Sequence, residues 1–172
     1  VVTAAGVLTA CGGSSSTAAS GSTAASAAGS TAASGDTIKV GVIGPLTGDV
    51  SVYGQAVVNG ATLYLKQINE KGGVNGKQLE IITMDEQGDA TQAVTCFTKM
   101  CDQGITALVG DVTTTPTLAV VAESQDYNMP MVTASATAEA VTYDAETDTV
   151  YENVFRATFT DPFQGILSLI HI

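Results

Sequence analysis

The sequence runs to 172 residues and carries 17 acidic against six basic side chains, a net charge of −11. Five lysines and Arg156 make no basic patch, so nucleic acid is disfavoured as a partner, and acidity of this kind chiefly keeps a surface protein soluble. The lone His171 leaves a His-based triad or a zinc site almost nothing to draw on.

Residues 1–11, VVTAAGVLTAC, open the chain with uncharged, mostly apolar residues. They are too few to span a bilayer but suit the apolar part of a secretory signal. Leu8-Thr9-Ala10-Cys11 resembles a bacterial lipobox, in which the small residue suits the signal peptidase and Cys11 takes the lipid. From Gly12 to Gly35 every residue is Gly, Ser, Thr or Ala, and STAASG, STAAS and STAASG recur. With no large apolar side chain to bury, residues 12–35 are expected to form a tether with a reach of roughly 27 Å.

One folded lobe is expected over 36–157, with 158–172 as a hinge and the start of a truncated second lobe. TIKVGVIG (37–44) reads as a buried strand ending at Gly and Pro. From about Tyr53 to Asn69, Val57, Ala61, Leu65 and Ile68 recur at helical spacing. Lys71-Gly72-Gly73 ends that helix, and Asn75-Gly76 turns into a second strand over 77–85. Asp89 caps a helix running to about Gln103, with Ala93, Phe97 and Met100 on one face. Within that helix Cys96 and Cys101 lie about 140° and roughly 8–9 Å apart, too far for a bridge, so two packed thiols are expected. A third strand follows at 106–110, then a helix from Pro116, as N1, to about Asp126. Residues 130–135 and 153–157 supply two more strands, and Asp161-Pro162 reads as an N-cap and N1 pair.

Strand–helix units of this length predict a doubly wound parallel α/β sheet with helices on both faces. The loops GPLTGDVSVYG, DVTTT and SATAE then fall at the carboxyl edge, where open sheets of this kind bind ligands. They carry no dinucleotide fingerprint, phosphate loop or nucleophile elbow, so catalysis has no constellation to rest on. The acidic run Asp144-Ala145-Glu146-Thr147-Asp148 lacks the later ligands of a calcium loop and reads as solvated. Asp85 and Glu86, at the end of the second strand, are placed where they could face the cleft.

The string IKVGVIGPLTGDVSVYGQAVVNGATLYLKQINEKGGVNGKQLEII resembles the branched-chain amino-acid binding proteins of ABC transporters. The likeness continues through DATQAV, ALVGDVTTTPTLAV, MVTASAT and FRATFTDPFQG, so that it covers nearly all of 37–165. It implies a type I periplasmic-binding-protein fold: two doubly wound lobes that close on an amino acid, this chain stopping as the second lobe begins. It also implies site residues. Thr114, flanked by Thr113, offers a hydroxyl and N–H to the ligand carboxylate. Ser135 offers a backbone carbonyl to the ammonium, Ala136 lies between, and Thr137 adds a hydroxyl and N–H. Tyr53 borders the side-chain pocket.

No metal, cofactor or catalytic residue is implied. The expected protein is an extracytoplasmic monomer, anchored through Cys11 to the outer face of a bacterial membrane and delivering a small amino acid to an ABC permease. The alternative is a sensing module of the same fold for an amide or other small carboxylate. As half a cleft, the 172-residue chain is expected to bind its ligand weakly or not at all, and Ser135→Ala to matter little.

Overall fold

A computed structural model describes residues 37–170. The expected signal segment with Cys11, the expected tether and His171 lie outside the described residues. Strand β1 (Ile38–Gly44) leads to helix α1 (Ser51–Glu70), β2 (Leu79–Asp85) and α2 (Ala90–Asp102). Then come β3 (Ala107–Val109), α3 (Thr114–Tyr127) and β4 (Met131–Thr133). A 3₁₀ turn (Glu139–Val141) precedes β5 (Tyr143–Asp144), β6 (Thr149–Val150), β7 (Val154–Arg156) and α4 (Asp161–Ile170). Among the described residues, no helix is long and apolar enough to cross a membrane.

The main sheet has the order β2-β1-β3-β4-β7, every pair parallel. Strand β1, paired on both sides by β2 and β3, is buried from Val40 to Gly44, as a strand covered on both faces must be. Its alternate residues sort the helices. A side chain at Gly44 would meet Val58 of α1, whereas one at Gly41 would meet Met100 of α2. On the α2 side, Ile43, Ala93, Phe97, Met100, Leu108, Val120 and Met131 form one buried cluster. Phe97 also meets the Tyr127 ring of α3 edge to face, with centroids 5.5 Å apart.

The doubly wound parallel α/β architecture is the one expected from the sequence, and Asp89 caps α2 as expected by accepting a hydrogen bond from the Gln92 N–H at 2.8 Å. The Asn75-Gly76 turn also forms, both residues having positive φ. Cys96 and Cys101 are free thiols. Elsewhere the structure departs from expectation. Helix α3 begins at Thr114, two residues before the expected Pro116, because Thr113 is still extended at φ −99° and ψ 151°. Strand β4 ends at Thr133, which releases Ala134 and Ser135 into the following loop. The acidic run is the turn of an antiparallel β5–β6 hairpin: Asp144 accepts from the Glu146 N–H and the Thr147 hydroxyl, and Tyr143 donates to Asp148.

Candidate functional site at the carboxyl edge

The register brings the ends of β1 and β2 level, Gly44 opposite Asp85. Asp85 exploits this by accepting hydrogen bonds from the Leu46 N–H at 2.8 Å, the Thr47 hydroxyl at 2.6 Å and the Gln87 N–H at 3.0 Å. Partial burial works against its charge, but these donors outweigh burial and hold the carboxyl below its usual range. The loop after β1 is thereby pinned to β2. It also rests on α1, where Gly54 admits it: a Cβ there would sit 1.9 Å from the Pro45 carbonyl oxygen.

The first turn of α3 is built to leave donors open. With Thr113 as N-cap, Thr114 and Thr115 are N1 and N2, and Pro116 is N3. An N-cap hydroxyl ordinarily bonds the N2 or N3 amide. Pro116 has no N–H, and the Thr113 side chain makes no capping bond. The Thr114 and Thr115 amides have no intrahelical acceptor either, at the end where the helix dipole is positive. Thr117 secures the turn by giving its N–H and hydroxyl to the Thr113 carbonyl at 3.1 and 2.6 Å.

An open cavity of about 280 Å³ lies here, lined by Tyr53, Val112, Thr113, Thr114 and Ser135. Four of the six residues expected to bind ligand thus come together. Tyr53 stands 66% exposed at the rim. The other two are not in the lining. Ala136 is buried, its N–H given to the Thr133 hydroxyl at 3.2 Å, and the Thr137 carbonyl accepts from the Asp161 N–H at 3.2 Å. The Ser135 hydroxyl donates to the Val112 carbonyl at 2.7 Å, tying the two loops together. Ser135→Ala should therefore lower stability by about 1 kcal/mol, checked by urea unfolding, while leaving the backbone carbonyl in place.

At the ends of β2 and β3 lies what sequence reasoning missed. Neither Asp85 nor Glu86 faces the cleft: Asp85 is spent on the β1 loop, and Glu86 is fully buried, as is Asp111. Both Glu86 carboxyl oxygens and Asp111 Oδ2 lack a hydrogen-bond partner. Asp111 Oδ1 accepts from the Val112 N–H, and its main-chain carbonyl accepts from the Thr133 hydroxyl at 2.6 Å. Burial, then the charge of Glu86, pushes the Asp111 carboxyl up to about 8. Burial likewise raises Glu86, and the nearby Gly88 and Asp89 N–H groups pull the other way without reaching hydrogen-bond geometry on its carboxyl oxygens. The available signal was an aspartate set directly after an apolar strand, within ALVGDV. Farther along the edge, Arg156 donates to the Ala138 carbonyl at 2.6 Å and to the Thr142 hydroxyl at 2.8 Å, bracing the loop after β4.

A parallel sheet with hydroxyls and open amides at one helix N-terminus on its carboxyl edge defines a doubly wound α/β lobe. The chain belongs to the periplasmic binding protein family, whose model matches residues 37–169. It is 38% identical over 130 residues to the leucine-, isoleucine-, valine-, threonine- and alanine-binding protein of Pseudomonas aeruginosa. It is 33% identical over 130 residues to the Leu/Ile/Val-binding protein of Escherichia coli K12. Each match takes in 76% of this chain and 34% of the relative, so the chain spans about a third of their length. The isoleucine-bound branched-chain amino acid transporter substrate-binding protein of Streptococcus pneumoniae superposes with a TM-score of 0.66 at 31% identity, over 73% of this chain and 35% of that one. A leucine-binding protein from Thermotoga maritima gives 0.67 at 29% identity, over 78% and 36%.

Proposed function

We propose that residues 36–157 form the first lobe of an extracytoplasmic substrate-binding protein that captures a small amino acid, of the branched-chain type, for an ABC importer, without catalysis. The observation that carries this reading is the first turn of α3. Pro116 removes the usual capping amide, so the Thr113 and Thr114 hydroxyls and the first helical N–H groups are open beside the cavity. An α-carboxylate is the group such a cradle fits. The expected lipidation at Cys11, with 12–35 as tether, would hold this lobe at the outer face of a membrane, and the permease is the partner it would serve. The names of the relatives support the amino acid as the ligand.

The test is an amide-resolved NMR titration of the chain with leucine, isoleucine and valine, a method that registers weak binding by half a cleft. Shifts are expected at Thr113, Thr114 and Ser135, and none with leucinamide, which lacks the carboxylate. Thr114→Val should weaken leucine binding about ten- to hundredfold, since a hydrogen bond to a charged group is worth about 1.5–3 kcal/mol. Shifts confined to other parts of the lobe, or equal responses to leucine and leucinamide, would sink the assignment.

A further inference from the structure

We propose that Glu86 and Asp111 share a single proton, and that this proton positions the loop carrying Thr113 and Thr114. The role in ligand binding rests on the function proposed above; the shared proton does not.

Both residues are fully buried, and three of their four carboxyl oxygens have no donor in hydrogen-bond geometry, although the Gly88 and Asp89 N–H groups near Glu86 favour its charge. Two anions so placed would repel each other across a site with little water to screen them. One proton removes the conflict. Carried on Asp111 Oδ2, it supplies the missing donor to Glu86, while Oδ1 keeps the Val112 N–H. The directions of titration agree: the contact with Asp111 favours a charged Glu86, and the same contact favours a neutral Asp111. The other groups acting on the pair are identifiable. Asp85 adds repulsion to Glu86. On α2, the buried Cys96 thiol is pushed up by burial and by Glu86, Asp85 and Asp111, with Lys99 opposing.

The pair also stands at the junction of all three cavity loops. Asp85, next to Glu86, latches the loop after β1 through Leu46 and Thr47. The main-chain carbonyl of Asp111 holds Thr133, whose hydroxyl in turn accepts from Ala136 in the loop after β4. Val112 lines the cavity and binds Ser135. Loss of the proton sets two charges against each other under this knot. The loop that bears Thr113 then has no fixed floor. Glu86 and Asp111 are positioning residues: they support the loop from below and leave the ligand to others.

The test compares the wild-type chain with Asp111→Asn and Glu86→Gln, either of which replaces the shared proton by a permanent amide donor. Urea midpoints are measured without ligand from about pH 5.5 to 8.5, a range that brackets the raised carboxyl. The folded pair holds a proton that the unfolded chain has released, so wild-type stability falls as pH rises through this window. Both variants should flatten that slope, because the second carboxylate's charge is gone and a permanent amide donor faces the remaining carboxyl, and if one fails to fold the other serves. Parallel curves in wild type and variants would overturn the shared proton. Leucine affinity is then followed by the NMR titration: in the wild type it should weaken about tenfold relative to Asp111→Asn between about pH 6 and 8.5. Equal pH dependence in the two would overturn the positioning role. If the stability slopes differ and no amino acid binds at any pH, the amino-acid reading fails while the proton stands.

Discussion

Gly54→Ala should destabilise the chain by about 3 kcal/mol or more, and the nearby Gly60→Ala should not. The two glycines share one helix but differ in what faces them. A methyl at residue 54 would lie 1.9 Å from the Pro45 carbonyl oxygen and 2.9 Å from the Pro45 ring, whereas residue 60 has nothing within 4 Å. Backbone cannot swing aside as a side chain can, so the methyl added at Gly54 would lift the loop after β1 from α1. Asp85 would then lose the geometry of its bonds to Leu46 and Thr47. Gly60→Ala, by contrast, removes only glycine's helix penalty and should raise stability by about 0.5–1 kcal/mol. Urea unfolding of both variants checks the pair. Equal, small effects would mean that the loop is not seated on Gly54.

The second large effect is expected at Phe97. Its ring is fully buried in the cluster between the sheet, α2 and α3, and its edge-to-face contact reaches Tyr127 at the end of α3. Phe97→Ala removes the ring and leaves a cavity that the neighbours can fill only in part, a loss of about 3–5 kcal/mol. That is about a third or more of the stability of an ordinary domain. Because α3 is held to the sheet by this cluster, hydrogen exchange at Thr117 to Val121 should accelerate with the drop in the urea midpoint. A loss below about 1 kcal/mol would mean that α3 is anchored elsewhere.

Legibility in the sequence followed the strength of the repeating signal. Helix α2 was readable because Asp89 carries a capping side chain and Ala93, Phe97 and Met100 recur on one stripe, all three fully buried. Strand β1 was readable because a buried parallel strand is a continuous β-branched run. The start of α3 was misplaced because proline is commonest at N1, whereas here the extended Thr113 sets the boundary and puts Pro116 at N3. The β5–β6 hairpin escaped notice because two-residue strands are too short to show alternation. At the cavity, the threonines could be found by motif, but the split between Asp85 and Glu86 could not. Adjacent residues at a strand end point opposite ways, and only the fold tells which one turns inward. Asp111, similarly, looks like any polar loop residue until Glu86 arrives from another strand.

The hydroxyls around the cavity have a thermodynamic corollary. Thr117 is committed to Thr113, Ser135 to Val112 and Thr133 to Asp111. Rotamer and backbone freedom in these loops is therefore surrendered when the chain folds, before any guest arrives. On the proposed function, an anion settling at α3 would meet groups already aligned, so little of its binding energy would go into ordering the host. Affinity should then be governed by how fast the guest leaves, and tuning it by mutation should act mainly on that rate.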